Sequence, residues 1–345
     1  MAEGTTRAPK RGRRGAPASG KPTLRTIAEM TGLAITTISR ALNNAPELAQ
    51  ETRDRVQKIA AEIGYLPDRA ALRLKTGRTN VISLILDPHD EFLGFGQALV
   101  GGINEALRDT LYHLVITPNF RDVPPIEPVR HIVRNRLADG IIFSRTEPDD
   151  ARVTLLLESN FPFVSHGRTA LAAHPFVDFD NDAYAYAAAH NLIGKGRRRI
   201  LLIPGDRRLT FAGHLEAGFM RAIGEARVAH EIPKAIHLDS TANEIRAFIT
   251  RRMGEPDPPD GFICSGDAST LATMAGLYDA GRRIGVDVDV FAKHASRLFG
   301  LVRPRVDAIH EDIDLAGQQM GQLLLRRIAG ETGGDLQVLQ QPGVA

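Results

Sequence analysis

From Val81 onward, strand-length apolar runs and helical patterns take turns. The runs are VISLILD, YHLVITP, GIIFS, FPFVSHG, RRILLIPGD, GFICSGD and VDVDVFAK. Between them lie FGQALVGGINEALRDT, EPVRHIVRNRLA, DARVTLLLESN, NDAYAYAAAHNLIGKG, LTFAGHLEAGFMRAIGEA, ANEIRAFITRRMG and STLATMAGLYDAG. The first set suits strands buried on both faces, because apolar residues are continuous rather than alternate. Repeated β–α alternation of this kind predicts parallel, doubly wound sheets. The stretch 79–345 is long for one such sheet, so two lobes are expected.

Residues 1–78 differ in charge from the rest. They hold 15 Lys/Arg against 7 Asp/Glu, whereas the rest holds 28 against 34. A basic front on an acidic body points to a polyanion partner for the front alone. Residues 1–22 are rich in Gly, Ala, Pro, Lys and Arg and lack the apolar residues that would offset the entropy of folding, so a disordered tail is expected. KRGRRG in that tail suits either a minor groove and phosphates or a merely solubilising role. The single cysteine, Cys264, excludes a disulfide framework and a Cys-based zinc site. No apolar run reaches the roughly 18 residues of a membrane span, and the N-terminus has no apolar signal core. A cytoplasmic, nucleoid-associated protein is expected, with no membrane partner.

Residues 23–65 predict three short helices. Thr23 is the N-cap candidate of LRTIAEMT and Gly32 ends that helix. The second helix lies in LAITTISRALNN. Its Leu33, Ile38, Ala41 and Leu42 share one side, while Thr36, Arg40 and Asn43 share another. The third, ETRDRVQKIAAEIG, places Val56, Ile59, Ala60 and Ile63 on one face and closes at Gly64. Two short helices joined by a Gly-containing turn form a helix-turn-helix, whose second helix enters the major groove. Ile35, Thr36 and Arg40 then face bases: Arg suits the O6/N7 edge of guanine, and the methyls of Ile35 and Thr36 suit thymine.

TLRTIAEMTGLAITTISRALN, the ETRDRV…IGYLPDRAA helix and exit, and RLKTGRTNVISLILD follow in an order and spacing that resembles the lactose-repressor (LacI) family of bacterial transcription regulators. The resemblance runs over roughly 23–335. It implies an N-terminal all-α helix-turn-helix domain followed by a two-lobed α/β sensor of the periplasmic-binding-protein-like type. The DNA-binding set it implies is Thr23, Ile35, Thr36, Thr37, Ser39, Arg40, Asn43, Tyr65, Arg69, Ala71 and Leu74. Residues 66–78 become a hinge helix that folds when two copies meet in the minor groove, with Leu74 as the wedge and Ala71 packing one turn earlier. Ala34 and Ala49 stand where the family has capping hydroxyls, and Asp68 where it has Asn. Each lost cap costs about 1 kcal/mol.

Ligands of two-lobed parallel sheets bind at the carboxyl ends of strands, in the cleft between lobes. The strand ends supply His89, Asp90, Ser144, Arg145, His166, Arg168, Asp206 and Asp267. By resemblance, Phe95 covers the ligand, Arg168 grips it and Asp267 is the strand-end acid. The effector set is therefore His89, Phe95, Ser144, His166, Arg168, His214, Asp267, Lys293 and His294. Arg and Asp suit vicinal hydroxyls, which favours a sugar or polyol. His214 replaces an arginine of the family pattern. Lys293 and His294 occupy a turn that normally carries acids. Either the ligand is anionic, or Lys293 pairs with Glu311 or Asp312.

The expected function is a transcription regulator, read as a repressor, that binds a pseudo-palindromic double-stranded operator as a homodimer under a small-molecule effector. A dimer is preferred because the C-terminus has no apolar heptad. The other readings are a periplasmic-type solute-binding protein or an enzyme on the same sensor fold. No Gly-rich phosphate loop, G-x-S-x-G elbow or H-E-x-x-H stands in the sequence, so neither catalysis nor a cofactor is expected.

Overall fold

A computed structural model of the chain describes residues 21–65, 77–87, 92–120, 122–171 and 173–343. Arg69, Ala71, Leu74, His89 and Asp90 lie outside the described residues. The chain divides into two compact units, one ending at Gly77 and the other beginning at Arg78.

The first unit contains α1 (Leu24–Thr31), α2 (Ile35–Leu42) and α3 (Gln50–Glu62). A reciprocal capping box starts α1. The Thr26 N–H donates to Thr23 Oγ1 at 3.3 Å, and the Thr23 N–H donates to Thr26 Oγ1 at 3.1 Å. Gly32 ends α1 with φ +72°, a conformation that favours glycine. Ala34 and Ala49 cap α2 and α3 without any side-chain hydrogen bond. Ile27, Ile38, Ala41, Val56 and Ala60 form the buried core of the unit, with Leu33, Leu42, Ile59 and Ile63 packed around it.

The second unit is built on two parallel sheets. Its first sheet contains β1 (Val81–Leu86), β2 (His113–Pro118), β3 (Gly140–Phe143), β4 (Phe163–His166), β5 (Phe176–Phe179) and β11 (Gln337–Gln340), in the order β11-β5-β4-β3-β1-β2. The second sheet contains β6 (Arg199–Leu202), β7 (Ala229–Glu231), β8 (Gly261–Cys264), β9 (Asp289–His294) and β10 (Asp307–His310), in the order β10-β9-β8-β6-β7. The helices are α4 (Phe92–Leu107), α5 (Ile126–Asn135), α6 (Ala151–Glu158), α7 (Asn181–Gly194), α8 (Thr210–Ala226), α9 (Ala242–Arg252), α10 (Asp267–Asp279) and α11 (Ile313–Ile328). Cys264 is buried in the second lobe as a small apolar residue.

Among the described residues, two crossings tie the lobes together. After β5 the chain enters the second lobe through α7, and after β10 it returns through α11, whose Ile313, Ala316, Met320 and Leu324 pack on Ile82, Leu84 and Ile103. The return helix lies very close to α4. A Cβ on Gly102 would overlap the Asp314 carbonyl, and one on Gly317 would come within 2.5 Å of the Leu99 carbonyl. Where the chain enters the unit, the Asp139 carboxylate accepts hydrogen bonds from the Thr79 N–H at 2.8 Å and the Asn80 N–H at 2.9 Å. These bonds hold the entry segment to the first lobe.

Among the described residues, four strands and one α-helix were not anticipated: β5, β7, β10, β11 and α11. FVDF, AHE, DAIH and QVLQ each mix polar with apolar residues, so no continuous apolar run marks these strands. The spacing of Ile313, Ala316, Met320 and Leu324 was a usable helical signal for α11. Lys293 and His294 end strand β9 rather than forming a turn, and Asp267 is the first residue of α10.

Candidate DNA-reading surface and effector cleft

On the first unit, burial divides α2 into two faces. Ile38 and Ala41 point into the core, whereas Ile35, Thr36, Arg40 and Asn43 are exposed. Thr37 and Ser39 are half-buried, and Thr23 is exposed at the start of α1. Tyr65 packs against the core of the unit. Arg40 is held by a residue that sequence reasoning missed: its Nε donates to Glu47 Oε1 at 2.9 Å. A backbone hydrogen bond at Glu47 and then the Arg40 guanidinium hold that carboxyl below its usual range. Asn43 Nδ2 donates to the Ser39 carbonyl at 2.6 Å.

In the second unit a cavity of about 130 Å³ opens between the lobes at the carboxyl ends of the strands. Phe95, Ser144, His166, Asp267, Lys293 and His294 all line it. Phe95 meets His166 edge-on, with ring centroids 5.2 Å apart. Asp267 Oδ2 accepts from the Ala295 and Ser296 N–H groups at 3.0 and 3.1 Å. Its buried Oδ1 has no hydrogen-bond partner among the described residues.

Lys293 is 7 % exposed. Its Nζ lies 2.6 Å from Glu311 Oε2 and donates to Asn181 Oδ1 at 2.8 Å. Asn181 opens the first crossing and Glu311 stands in the second, so this ammonium links both. Of the two acids considered from sequence, it is Glu311 that pairs with Lys293. The same carboxylate lies 3.9 Å from His166 Nε2.

Arg168 and His214 are close to each other but are not in the lining of this cavity. Arg168 Nε sits 3.0 Å from Asp178 Oδ2, and its Nη2 is 3.4 Å from His214 Nδ1. Burial raises the Asp178 carboxyl in spite of the opposing pull of nearby His166 and Arg168. Asp206 is turned to Arg208 at 2.7 Å. Sequence reasoning named Arg145 without its role. Its guanidinium makes a two-pronged bond to Asp239 at 2.8 and 2.6 Å across the cleft. Arg145 adopts φ +60°, which costs a side-chain-bearing residue about 1 kcal/mol.

The charges in the cavity nearly cancel. Arg145 is matched by Asp239, Lys293 by Glu311, and Asp178 by Arg168 behind the wall, which leaves Asp267 as a surplus acceptor. Such a lining suits a neutral ligand with many hydroxyls better than an anion.

Burial holds His166, His174, His214 and His294 below their usual value of 6.5. Below that value the unfolded chain binds more protons than the native one, so stability falls as pH falls. Asp178, raised by burial, acts in the opposite sense but nearer the carboxylate range. The melting temperature of the sensor unit should therefore drop between pH 7.5 and 5.5 in a thermal scan. An unchanged melting temperature over that interval would contradict neutral, buried histidines.

Residues 23–68 match the profile of bacterial regulatory proteins of the lacI family, and residues 189–344 that of the periplasmic binding protein-like domain. The transcriptional regulator AglR of Rhizobium meliloti is 34% identical over 276 residues, covering 78% of this chain and 76% of AglR. This chain belongs to the LacI family. CelR of Thermobifida fusca is 26% identical over 318 residues, covering 90% of this chain and 93% of CelR. A solved CelR–cellobiose complex superposes with a TM-score of 0.68 at 25% identity, covering 94% and 98% of the two chains. The lac repressor dimer bound to operator and an anti-inducer has the same fold, with a TM-score of 0.79 at 20% identity over 94% and 97%. The protein is thus a DNA-binding transcription regulator with a helix-turn-helix front and a two-lobed sensor. The solute-binding and enzymatic readings find no support among these relatives. Among the described residues, no helix is long and apolar enough to cross a membrane.

Proposed function

We propose that this regulator is a repressor, that its effector is a neutral carbohydrate bound between the lobes, and that it acts as a homodimer on a pseudo-palindromic operator. The observation that carries the effector class is the pairing of both cavity cations, with Asp267 Oδ1 left as an acceptor that has no partner among the described residues. The description of the CelR structure as a cellobiose complex points the same way. Phe95, Ser144, His166, Asp267, Lys293 and His294 would surround the sugar, with Arg168 and His214 behind them.

Self-association is supported by an exposed apolar stripe on the second lobe. Leu271 and Tyr278 of α10 line one surface hollow, and Leu271 lines the next with Leu298, which is 71% exposed. In the dimer, the tail 1–22 would add phosphate contacts, α2 would read bases, and the hinge 66–78 would sit at the operator centre. Effector binding would shift one lobe against the other and change the separation of the two chain segments near Asn80.

A thermal-shift panel of neutral sugars, polyols and their phosphorylated or acidic forms tests the effector class. A neutral sugar at about 100 times its Kd should add roughly 2.7 kcal/mol of stability. Stronger stabilisation by sugar phosphates would overturn the charge argument. Operator affinity should fall steeply with salt as phosphate contacts release counterions. Light scattering should give twice the chain mass, and Leu271→Glu with Leu298→Glu should halve it. A salt-insensitive monomer that binds operator tightly would refute the assembly.

A further inference from the structure

We propose that the cleft holds a second, outer saccharide subsite with Phe120 as its stacking platform, so that the effector is an oligosaccharide rather than a single sugar. This rests on the carbohydrate reading above. The inner cavity does not end the cleft. Beyond the Arg145–Asp239 pair lies a larger chamber of about 500 Å³, and the two spaces share that pair as a common wall.

The outer chamber also lies at strand ends. Asn119 and Phe120 follow β2 directly, and loops of the second lobe face them. Phe120 is 59% exposed on the chamber wall. Its backbone is anchored on both sides: the Asn119 N–H donates to the Leu86 carbonyl at 2.9 Å, and the Val123 N–H donates to the Phe120 carbonyl at 3.0 Å. A large ring held in water at a cavity wall is unfavourable, and the C–H face of a pyranose would cover it. Beside it, Asn119 is 4% exposed and donates through Nδ2 to Asp87 Oδ1 at 2.5 Å. Asn119 Oδ1 has no hydrogen-bond partner among the described residues.

The arginines of this chamber are matched. Arg208 pairs with Asp206 at 2.7 Å, Arg152 with Asp150 at 2.7 Å, and Arg145 with Asp239. The chamber therefore offers a ring face and no unpaired arginine to hold an anion, and its further carboxylates, Asp87, Glu147 and Glu244, add acceptors for sugar hydroxyls. At the boundary, the planar Arg145 and Asp239 groups provide donors and acceptors for hydroxyls on adjoining sugar units.

Calorimetric titration of the full chain with three saccharide series tests the subsite: glucose, cellobiose and cellotriose; glucose, maltose and maltotriose; galactose, melibiose and raffinose. In the series that binds, affinity should rise about tenfold or more from the single sugar to the longest member. Phe120→Ala should remove about tenfold from the longest member and leave the single sugar unchanged. Phe120→Trp should keep the length preference. Because Phe120 is exposed, its truncation opens no hole in the core. If the single sugar binds as tightly as the longest, or Phe120→Ala weakens all lengths alike, the outer subsite is wrong while the carbohydrate reading stands. Binding by no member of any series overturns both.

Discussion

Replacing Lys293 by methionine should destabilise the sensor unit by about 3–5 kcal/mol, because it leaves the Glu311 carboxylate buried without its cation. In a unit of this size that corresponds to a fall in melting temperature on the order of 10 °C. The cost comes mainly from the orphaned charge and not from lost attraction. A Lys293→Met, Glu311→Leu double variant should therefore recover much of the loss. Thermal unfolding measures both effects. A single variant that melts within 2 °C of the parent, a threshold of about 1 kcal/mol at this size, would show that the pair contributes little. The position of the pair gives it further consequence. Asn181 and Glu311 belong to the two crossings, so Lys293 joins the segments about which the lobes would turn.

Arg40→Ala should cost roughly 1–3 kcal/mol on an operator selected from random sequence, and should relax one base position. Random DNA should be bound almost as before. Lys or Arg changes in the basic tail should instead weaken all sequences alike and reduce the salt slope. The Glu47 contact makes the test sharper. The Arg40 side chain is already oriented by Glu47, an exposed pair with little net stability of its own. Loss of Arg40 should therefore leave the melting of the front unit nearly unchanged while specificity falls. If Arg40→Ala weakens random DNA as much as operator, Arg40 contacts phosphate and the base-reading assignment is wrong.

The sequence by itself determined the fold class and the front unit. Both rest on local patterns: helical spacing for Val56, Ala60 and their neighbours, continuous apolar runs for buried parallel strands, and an N-cap candidate at Thr23. The two missing caps at Ala34 and Ala49 were legible only through the family resemblance. The sequence also brought Phe95, Ser144, His166, Asp267, Lys293 and His294 into one set, because each lies near the carboxyl end of a strand or at a position matched by resemblance. Only the tertiary structure decided what these residues pair with. Arg145 meets Asp239 across 94 positions of sequence, and Lys293 meets Asn181 across 112. Whether Lys293 paired with Glu311 or Asp312 depended on how β9 and β10 register and where the chain turns into α11. Arg168, expected to grip the ligand, turned to Asp178, which itself interrupts the apolar run of its strand. The physical reason is the same in each case. Periodicity reports which face of an element is buried, whereas the net charge of a cleft depends on which side chains from distant segments come within a few ångströms.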